Sequence, residues 1–241
     1  MATVIATDEY NAADGTAWSS HRASNYVEYD PIDPAYLKIA NDGTISRLVA
    51  AFGMLTPGPL IARWAGAVSP AATDDLGAIL TIRALGSTDG RFYAGPMARM
   101  SAGTGTTVNG YALKWYDGIA PAGTGTPQTL DLVKFANSVP TVLKSITRTF
   151  VNPTALGLIP VGQRLGIEID GVEIDSFTDT GGYSTGGAGL IYLGAASTAG
   201  PEIDRLQIAN AGSGGGPAPS TRGALVSSPQ QLGRFHYGIK R

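Results

Sequence analysis

Cysteine is absent from all 241 residues, which removes disulfide frameworks, thiolate nucleophiles and cysteine-ligated metals together. Histidine is nearly absent: His21 and His236 stand near opposite ends, neither beside a nucleophile motif, so a Ser-His-Asp arrangement has little to build on. Charge is scarce as well. Asp, Glu, Lys and Arg make up 15% of the chain and sum to −2, so no global field draws it to nucleic acid or an anionic membrane. The N-terminal Met1-Ala2-Thr3-Val4-Ile5 lacks the basic and long apolar regions of a secretory signal. No apolar run approaches the roughly 18 residues that cross a bilayer. These absences predict a chain made soluble that reaches any extracellular position by a route other than ordinary secretion, such as assembly into a particle.

What is present points to strands. The chain is 43% apolar with 33 glycines, enough greasy surface for a core and enough glycine for many tight turns. Ala78-Ile79-Leu80-Thr81-Ile82-Arg83, Arg91-Phe92-Tyr93-Ala94, Tyr111-Ala112-Leu113-Lys114-Trp115-Tyr116 and Gln163-Arg164-Leu165-Gly166-Ile167-Glu168-Ile169 place apolar residues mostly at every second position. That is the period of a strand with one buried face. The best helical candidate, Thr129 to Asn137, reads equally well as a strand.

Turn chemistry agrees. Asp-Gly recurs at Asp14-Gly15, Asp42-Gly43, Asp89-Gly90, Asp117-Gly118 and Asp170-Gly171, and between alternating runs it marks hairpins whose turns need φ > 0. Roughly ten to twelve short strands are expected between Asp42 and Asn210, too many for one open sheet and suited to two packed antiparallel sheets. The segments Leu55 to Ile61 and Ser101 to Val108 read as extended loops. The expected organisation is a β-sandwich over 1–210, a Gly/Ser/Pro linker over 211–220 and a basic arm over 221–241. From Pro217 onward Arg222, Arg234, Lys240 and Arg241 face no acid, which leaves the preceding body at −6. With Leu225, Val226, Leu232, Phe235 and Tyr237, the arm is too short for a core and too apolar for a solvated tail. It is expected to dock on a partner through Arg222, Arg234 and these apolar residues.

Four stretches carry a family resemblance. Asp8-Glu9-Tyr10-Asn11-Ala12-Ala13-Asp14-Gly15-Thr16 is similar to an opening strand and turn written D-x-F-x-R-x-D-G-T, with Ala12 where arginine is usual. Asp89 to Gly95 with Asn109 to Trp115 resembles paired central strands. Leu165 to Asp175 resembles a hairpin written L-x-L-E-V-D-G, and Glu202 to Ile208 a closing strand. Together they resemble the concanavalin A-like, laminin G-like β-sandwich domains of bacteriophage virion proteins, especially minor tail proteins. The resemblance implies a jelly roll whose first and last strands pair, and it transfers no functional residues.

Several patterns invite chemistry. Glu168-Ile169-Asp170-Gly171-Val172-Glu173 matches E-x-D-x-x-E, the paired-carboxylate motif of a laminarinase-like glycosidase family built on this sandwich. The competing reading is a hairpin turning at Asp170-Gly171, with Glu168 and Glu173 on adjacent strands. Asp74-Asp75 and Asp30-Pro31-Ile32-Asp33 offer oxygen ligands to calcium, as in many laminin G-like domains, or are solvated loop acids. No other cofactor or metal is implied. Gly103-Thr104-Gly105-Thr106 and Gly123-Thr124-Gly125-Thr126 lack the Lys-Ser/Thr and following helix of a phosphate loop. Trp18, Trp64, Trp115 and Tyr116 are candidates for a sugar platform, with core packing as the alternative.

The sequence thus leads to a non-enzymatic structural protein of a tailed-phage virion, in the tail or tail tip, partnered by other virion proteins and copies of itself. A capsid decoration protein, a carbohydrate-binding module for host-surface glycan and, last, a glycosidase are the alternatives.

Overall fold

A computed structural model describes residues 2–21, 25–29, 37–41, 46–50, 60–66, 75–85, 92–101, 107–116, 128–149, 151, 153–193 and 200–211. The linker from residue 212 and the arm over 221–241, with Arg222, Leu225, Val226, Leu232, Arg234, Phe235 and Tyr237, lie outside them. So do Asp74, the 30–33 acids, both Gly-Thr repeats and the Asp-Gly pairs at 42, 89 and 117.

The described residues form fifteen strands and one helical turn, α1 (Trp18–His21). Eight strands make one sheet: β1 (Thr3–Asp8), β3 (Leu37–Asn41), β4 (Ser46–Ala50), β6 (Leu76–Ala84), β11 (Thr154–Val161), β12 (Arg164–Ile169), β13 (Val172–Thr178) and β15 (Glu202–Asn210). Seven make the other: β2 (Tyr26–Tyr29), β5 (Leu60–Trp64), β7 (Tyr93–Met100), β8 (Gly110–Tyr116), β9 (Gln128–Ala136), β10 (Val139–Arg148) and β14 (Gly187–Leu193). The first runs β13-β12-β11-β6-β15-β4-β3 and the second β10-β9-β8-β7-β14-β5-β2, with every strand pairing antiparallel. This is a two-sheet antiparallel β-sandwich of jelly-roll type. β1 pairs along β15 from Thr3 opposite Asn210 to Asp8 opposite Leu206, so the two ends of the sandwich meet as the resemblance implies.

Alternation explains the layers. Leu80, Ile82, Leu156, Leu158, Leu165, Ile167, Leu206 and Ile208 of one sheet share a core with Leu60, Ala94, Tyr111, Leu113, Trp115, Leu130, Leu132 and Leu190 of the other. Thr129 to Ala136 is strand and Asn137 opens the turn after it: β9 sends Leu130 and Leu132 inward and Val133 and Phe135 to the other face, a period-2 pattern no helix would satisfy. Leu60 and Ile61, expected in a loop, open β5 as buried residues, since Leu60 joins the inter-sheet core.

The turns follow backbone chemistry. Asp170-Gly171 joins β12 to β13 with φ of 51° and 75°, a left-handed pair as type I′ requires, and Asp14-Gly15 places Gly15 at 78°. A further hairpin at Asn137-Ser138 joins β9 to β10 with φ of 51° and 64° and no glycine at all. Bonds to the segment just before β8 hold it: Ser138 N donates to Val108 O at 2.8 Å, Val108 N to Ser138 Oγ at 2.9 Å, and Asn137 N to Asn109 Oδ1 at 2.7 Å.

Candidate functional site

The literal paired-carboxylate motif resolves into a hairpin. Glu168 and Glu173 face each other across β12 and β13, beside a bulge. Between them, Asp170 sits in the turn and accepts from Ala155 N at 2.8 Å. Arg164 Nη2 donates to Glu173 Oε1. Partial burial and the neighbouring Glu173 charge push the Glu168 carboxyl above its ordinary range. Leu165 and Ile167 point into the core, so Glu168 stands on the outer face, where a Cβ on Gly157 of β11 would touch its side chain. The three acids therefore do not line one strand above a cleft.

Two of the three tryptophans named for the sugar platform are internal. Trp18 and Trp115 are each 1% exposed, and both belong to the inter-sheet core, which corrects their assignment as sugar contacts. Their indoles are the largest apolar groups available to fill the sandwich, and strand parity turns Trp115 inward. Trp64 is partly buried and meets Tyr26 edge-on, ring centroids 5.2 Å apart, in a row that continues through Trp18, Tyr10 and His21. Beneath that row Asp8 accepts from Tyr26 Oη at 2.7 Å and Tyr10 N at 2.8 Å, and pairs with His21 Nε2 at 2.9 Å. Burial works against the Asp8 carboxylate, but these donors outweigh it and hold the group below its ordinary range. The His21 backbone N–H also donates to Ala17 O at 3.2 Å. This corner ties β1, α1 and β2 together.

A second interior network plugs the gap between the sheets near β13. Asp179 accepts from Lys134 Nζ at 2.7 Å and Tyr111 Oη at 2.9 Å, and Tyr183 Oη donates to Phe135 O at 2.9 Å. Desolvation and the bond to Asp179 raise Tyr111 to about 12. Arg99, 2% exposed, donates through Nη2 to Asp75 Oδ1 at 2.7 Å and to Gly162 O, and through Nη1 to Tyr183 O at 2.8 Å. Asp75 Oδ2 accepts from Gly162 N at 3.2 Å, so protein donors already occupy both oxygens of the one calcium candidate described here. Among the described residues no three acids or histidines are grouped as a metal would need.

Tyr116, like Trp64, is half-buried, and it lies on the face of the seven-stranded sheet turned away from the inter-sheet core. It shares the outer face of the seven-stranded sheet with Tyr93, Met97, Ala112, Val133, Phe135, Ile191 and Leu193, a cluster of opposite parity to the inter-sheet core. Tyr93 and Tyr116 are cross-strand partners, ring centroids 5.1 Å apart at 64°. Lys114, two residues before Tyr116 on the same face, lays Nζ over the Tyr93 ring at 4.4 Å and the Phe135 ring at 5.3 Å. Asp131 on β9 is its cross-strand partner, and Ser145 Oγ donates to Asp131 Oδ1 at 2.6 Å. Desolvation lowers the Lys114 amine against the pull of Asp131, and raises both tyrosine hydroxyls. Tyr116, Leu193 and Asp131 form a half-buried rim around Tyr93, Phe135 and Lys114, which are buried at 7%, 4% and 7% exposed. Sequence reading missed Tyr93, Lys114, Asp131 and Phe135. The available signal was a lysine with apolar neighbours at the parity of Tyr116.

No protein-family model and no curated protein matches the chain. Solved structures do. A glycoside hydrolase family 16 enzyme of Bacteroides ovatus, in complex with a mixed-linkage glucan product, superposes with a TM-score of 0.54 at 13% identity, covering 84% of this chain and 99% of that one. The CBM2 module of the evolved Dit protein of Lactobacillus casei BL23 phage J-1 gives 0.52 at 8% identity, covering 86% and 95%. The carbohydrate-binding module CBM66 of Bacillus subtilis gives 0.46 at 15% identity, over 78% and 93%. The shared property is the fold. These neighbours are lectin-type, concanavalin A-like β-sandwiches, and a hydrolase and a phage module sit equally near.

Proposed function

We propose that this protein is a non-catalytic carbohydrate-binding sandwich of a tailed-phage virion, carried in the tail or tail tip and facing host-surface glycan. The observation that carries the reading is the outer-face cluster. Tyr116 and Asp131, half-buried at its edge, offer a ring face and an acceptor to a sugar, while Tyr93, Phe135 and Lys114 are buried behind them. The hairpin geometry of Glu168 and Glu173 favours binding over hydrolysis, because Asp170 is committed to a turn and Glu173 to Arg164. Placement on a phage rests on the motifs at 8–16, 89–115, 165–175 and 202–208, and the phage J-1 Dit module of like fold is named a CBM2 module. Capsid decoration uses the same rigid body and arm and is the second placement.

A glycan array with the purified chain, with and without calcium, tests the binding reading. Wild type is expected to retain a glycan that Tyr116→Ala releases. Retention unchanged by Tyr116→Ala would move the site elsewhere. Hydrolysis of a β-glucan by wild type, abolished in Glu168→Gln or Glu173→Gln, would make the protein an enzyme. For the particle, a chain lacking residues 217–241 is expected to fold and yet fail to incorporate. Normal incorporation would remove the docking role of the arm.

A further inference from the structure

Three ion pairs among the described residues cross from one sheet to the other, and all have the same polarity. Asp75, just before β6, takes Arg99 of β7; Asp179, just after β13, takes Lys134 of β9; Asp175 of β13 takes Lys144 of β10, each at 2.7 Å. The eight-stranded sheet supplies the acids and the seven-stranded sheet the bases. They do not depend equally on charge. Arg99 also donates to Gly162 O and Tyr183 O, so it keeps two acceptors whatever the charge on Asp75. Lys134 has Asp179 and two ring faces, and Lys144 has Asp175 and a long 3.4 Å contact to Ser176 O.

The Lys134 and Lys144 pairs stand where apolar burial is thinnest. β10 and β13 end their respective sheets and face each other through Lys144 and Asp175. No residue of either strand is fully buried, and Val139 and Val142 of β10 are 64% and 54% exposed. Leu143 and Ile146 of β10, with Ile174 and Phe177 of β13, touch the inter-sheet core while remaining partly exposed. A partly exposed ion pair is worth little in a well-packed region, but here little else joins the two strands across the gap.

We propose that the side of the sandwich formed by β10 and β13 is an acid-released latch: protonation of Asp175 and Asp179 parts the two edge strands and uncovers Leu143, Ile146, Ile174 and Phe177, while Arg99 stays bonded as the hinge. The groups facing each carboxylate agree on the sign. The Lys134 bond holds Asp179 below its ordinary 3.8 against burial, helped by Tyr111 Oη and Gly181 N. At Asp175 burial is outweighed by Lys144, Ser176 N and the Arg148 charge. Glu173, the other acid of β13, is bonded to Arg164 within its own sheet and takes no part. A lowered folded value means that the stabilisation is present above 3.8 and is lost as pH falls through the depressed value, which is where the latch opens.

Hydrogen exchange of the full chain, read peptide by peptide and corrected for the pH dependence of intrinsic exchange, tests this. Between about pH 6 and about pH 3, wild type is expected to lose about tenfold or more of its protection in β10 and β13 while β6 and β15 keep theirs. Residues 3–29 are read separately, since Asp8 also titrates below its ordinary value. Asp175→Asn with Asp179→Asn should show the β10 and β13 loss already at the higher pH, with little further change on acidification. Exchanging the charges, Lys144→Asp with Asp175→Lys, should recover part of the protection that either single variant loses, which a side chain acting by shape alone would not do. If the double Asn variant does not fold, Lys144→Met, which leaves Asp175 its Ser176 N–H, should show the same selective loss near neutrality. Protection falling in β6 and β15 in step with β10 and β13, a charge exchange no better than its single variants, or β10 and β13 indifferent to both acid and Lys144→Met overturns the proposal.

Discussion

On the outer face of the eight-stranded sheet Glu168 and Glu173 stand across a hairpin with Arg164 bonded to Glu173, whereas on the outer face of the seven-stranded sheet Lys114 lies on two aromatic rings. The first arrangement matches a catalytic motif letter for letter, yet Asp170 is bonded within the turn and Glu173 to Arg164. The second matches no motif and packs a buried cation against ring faces. Function in a sandwich depends on which side of a strand a residue faces and on what already bonds it, and spacing along the chain records neither.

Substitutions can break that contrast. The largest effect is expected in the seven-stranded sheet at Gly95, where an added Cβ would overlap the Leu113 carbonyl of the adjoining strand. Gly95→Ala should cost about 3 kcal/mol or more in urea denaturation, at or beyond the usual range for overpacking. Gly171→Ala in the hairpin, where the same probe meets nothing within 4 Å but φ is 75°, should cost only about 1 kcal/mol. Similar losses at both sites would mean that the close strand approach at Gly95 is not rigid.

Next in size is Asp8→Asn, expected to cost on the order of 2 kcal/mol at pH 7 because His21, Tyr26 and Tyr10 N lose a charged acceptor. Asp8 is held below its ordinary 3.8, so its contribution is present above that pH and disappears as pH falls through the depressed value. The variant should therefore show a flatter acid limb than wild type. Glu168 has the opposite sign. Its carboxyl is raised above the ordinary 4.5, so stability is fullest below 4.5 and declines as pH rises through the folded value.

Smaller effects separate the two faces directly. Lys114→Met should hold or raise stability, by up to about 1 kcal/mol, since an apolar chain replaces a desolvated cation. A loss larger than that would reveal an acceptor the ammonium depends on. Smallest of all, Glu168→Gln should stabilise at pH 7 by no more than about 0.5 kcal/mol, with the gain shrinking below pH 4.5, as a partly exposed carboxylate allows. A destabilised Glu168→Gln would give that carboxylate a structural role that the hairpin does not explain.

Much of the fold was legible because strand parity and turn dihedrals are local. The alternation in 78–83, 111–116 and 163–169 appears as β6, β8 and β12, and Asp14-Gly15 and Asp170-Gly171 turn with φ > 0. Twelve described strands, β4 to β15, fall in the interval where ten to twelve were expected. The Asn137-Ser138 hairpin escaped notice because its left-handed residues are held by Val108 and Asn109, about thirty positions away, rather than by glycine. The candidate site was half legible: Tyr116 was named and Trp115 was named wrongly beside it, though neighbours on a strand must face opposite ways.

By itself, then, the sequence determined a two-sheet antiparallel sandwich, its turning points and the pairing of its first and last strands. These follow from a period of two, from Asp-Gly dihedrals and from the resemblance at residues 8–16 and 202–208. Only the tertiary structure decided that Glu168 and Glu173 straddle a turn, that Trp18 and Trp115 are core, and that Tyr93, Lys114 and Phe135 meet. The reason is physical. Tyr93, Lys114 and Phe135 lie on three strands joined by long connections, and their contact depends on register and sheet order, which cross-strand pairing sets and linear spacing does not encode.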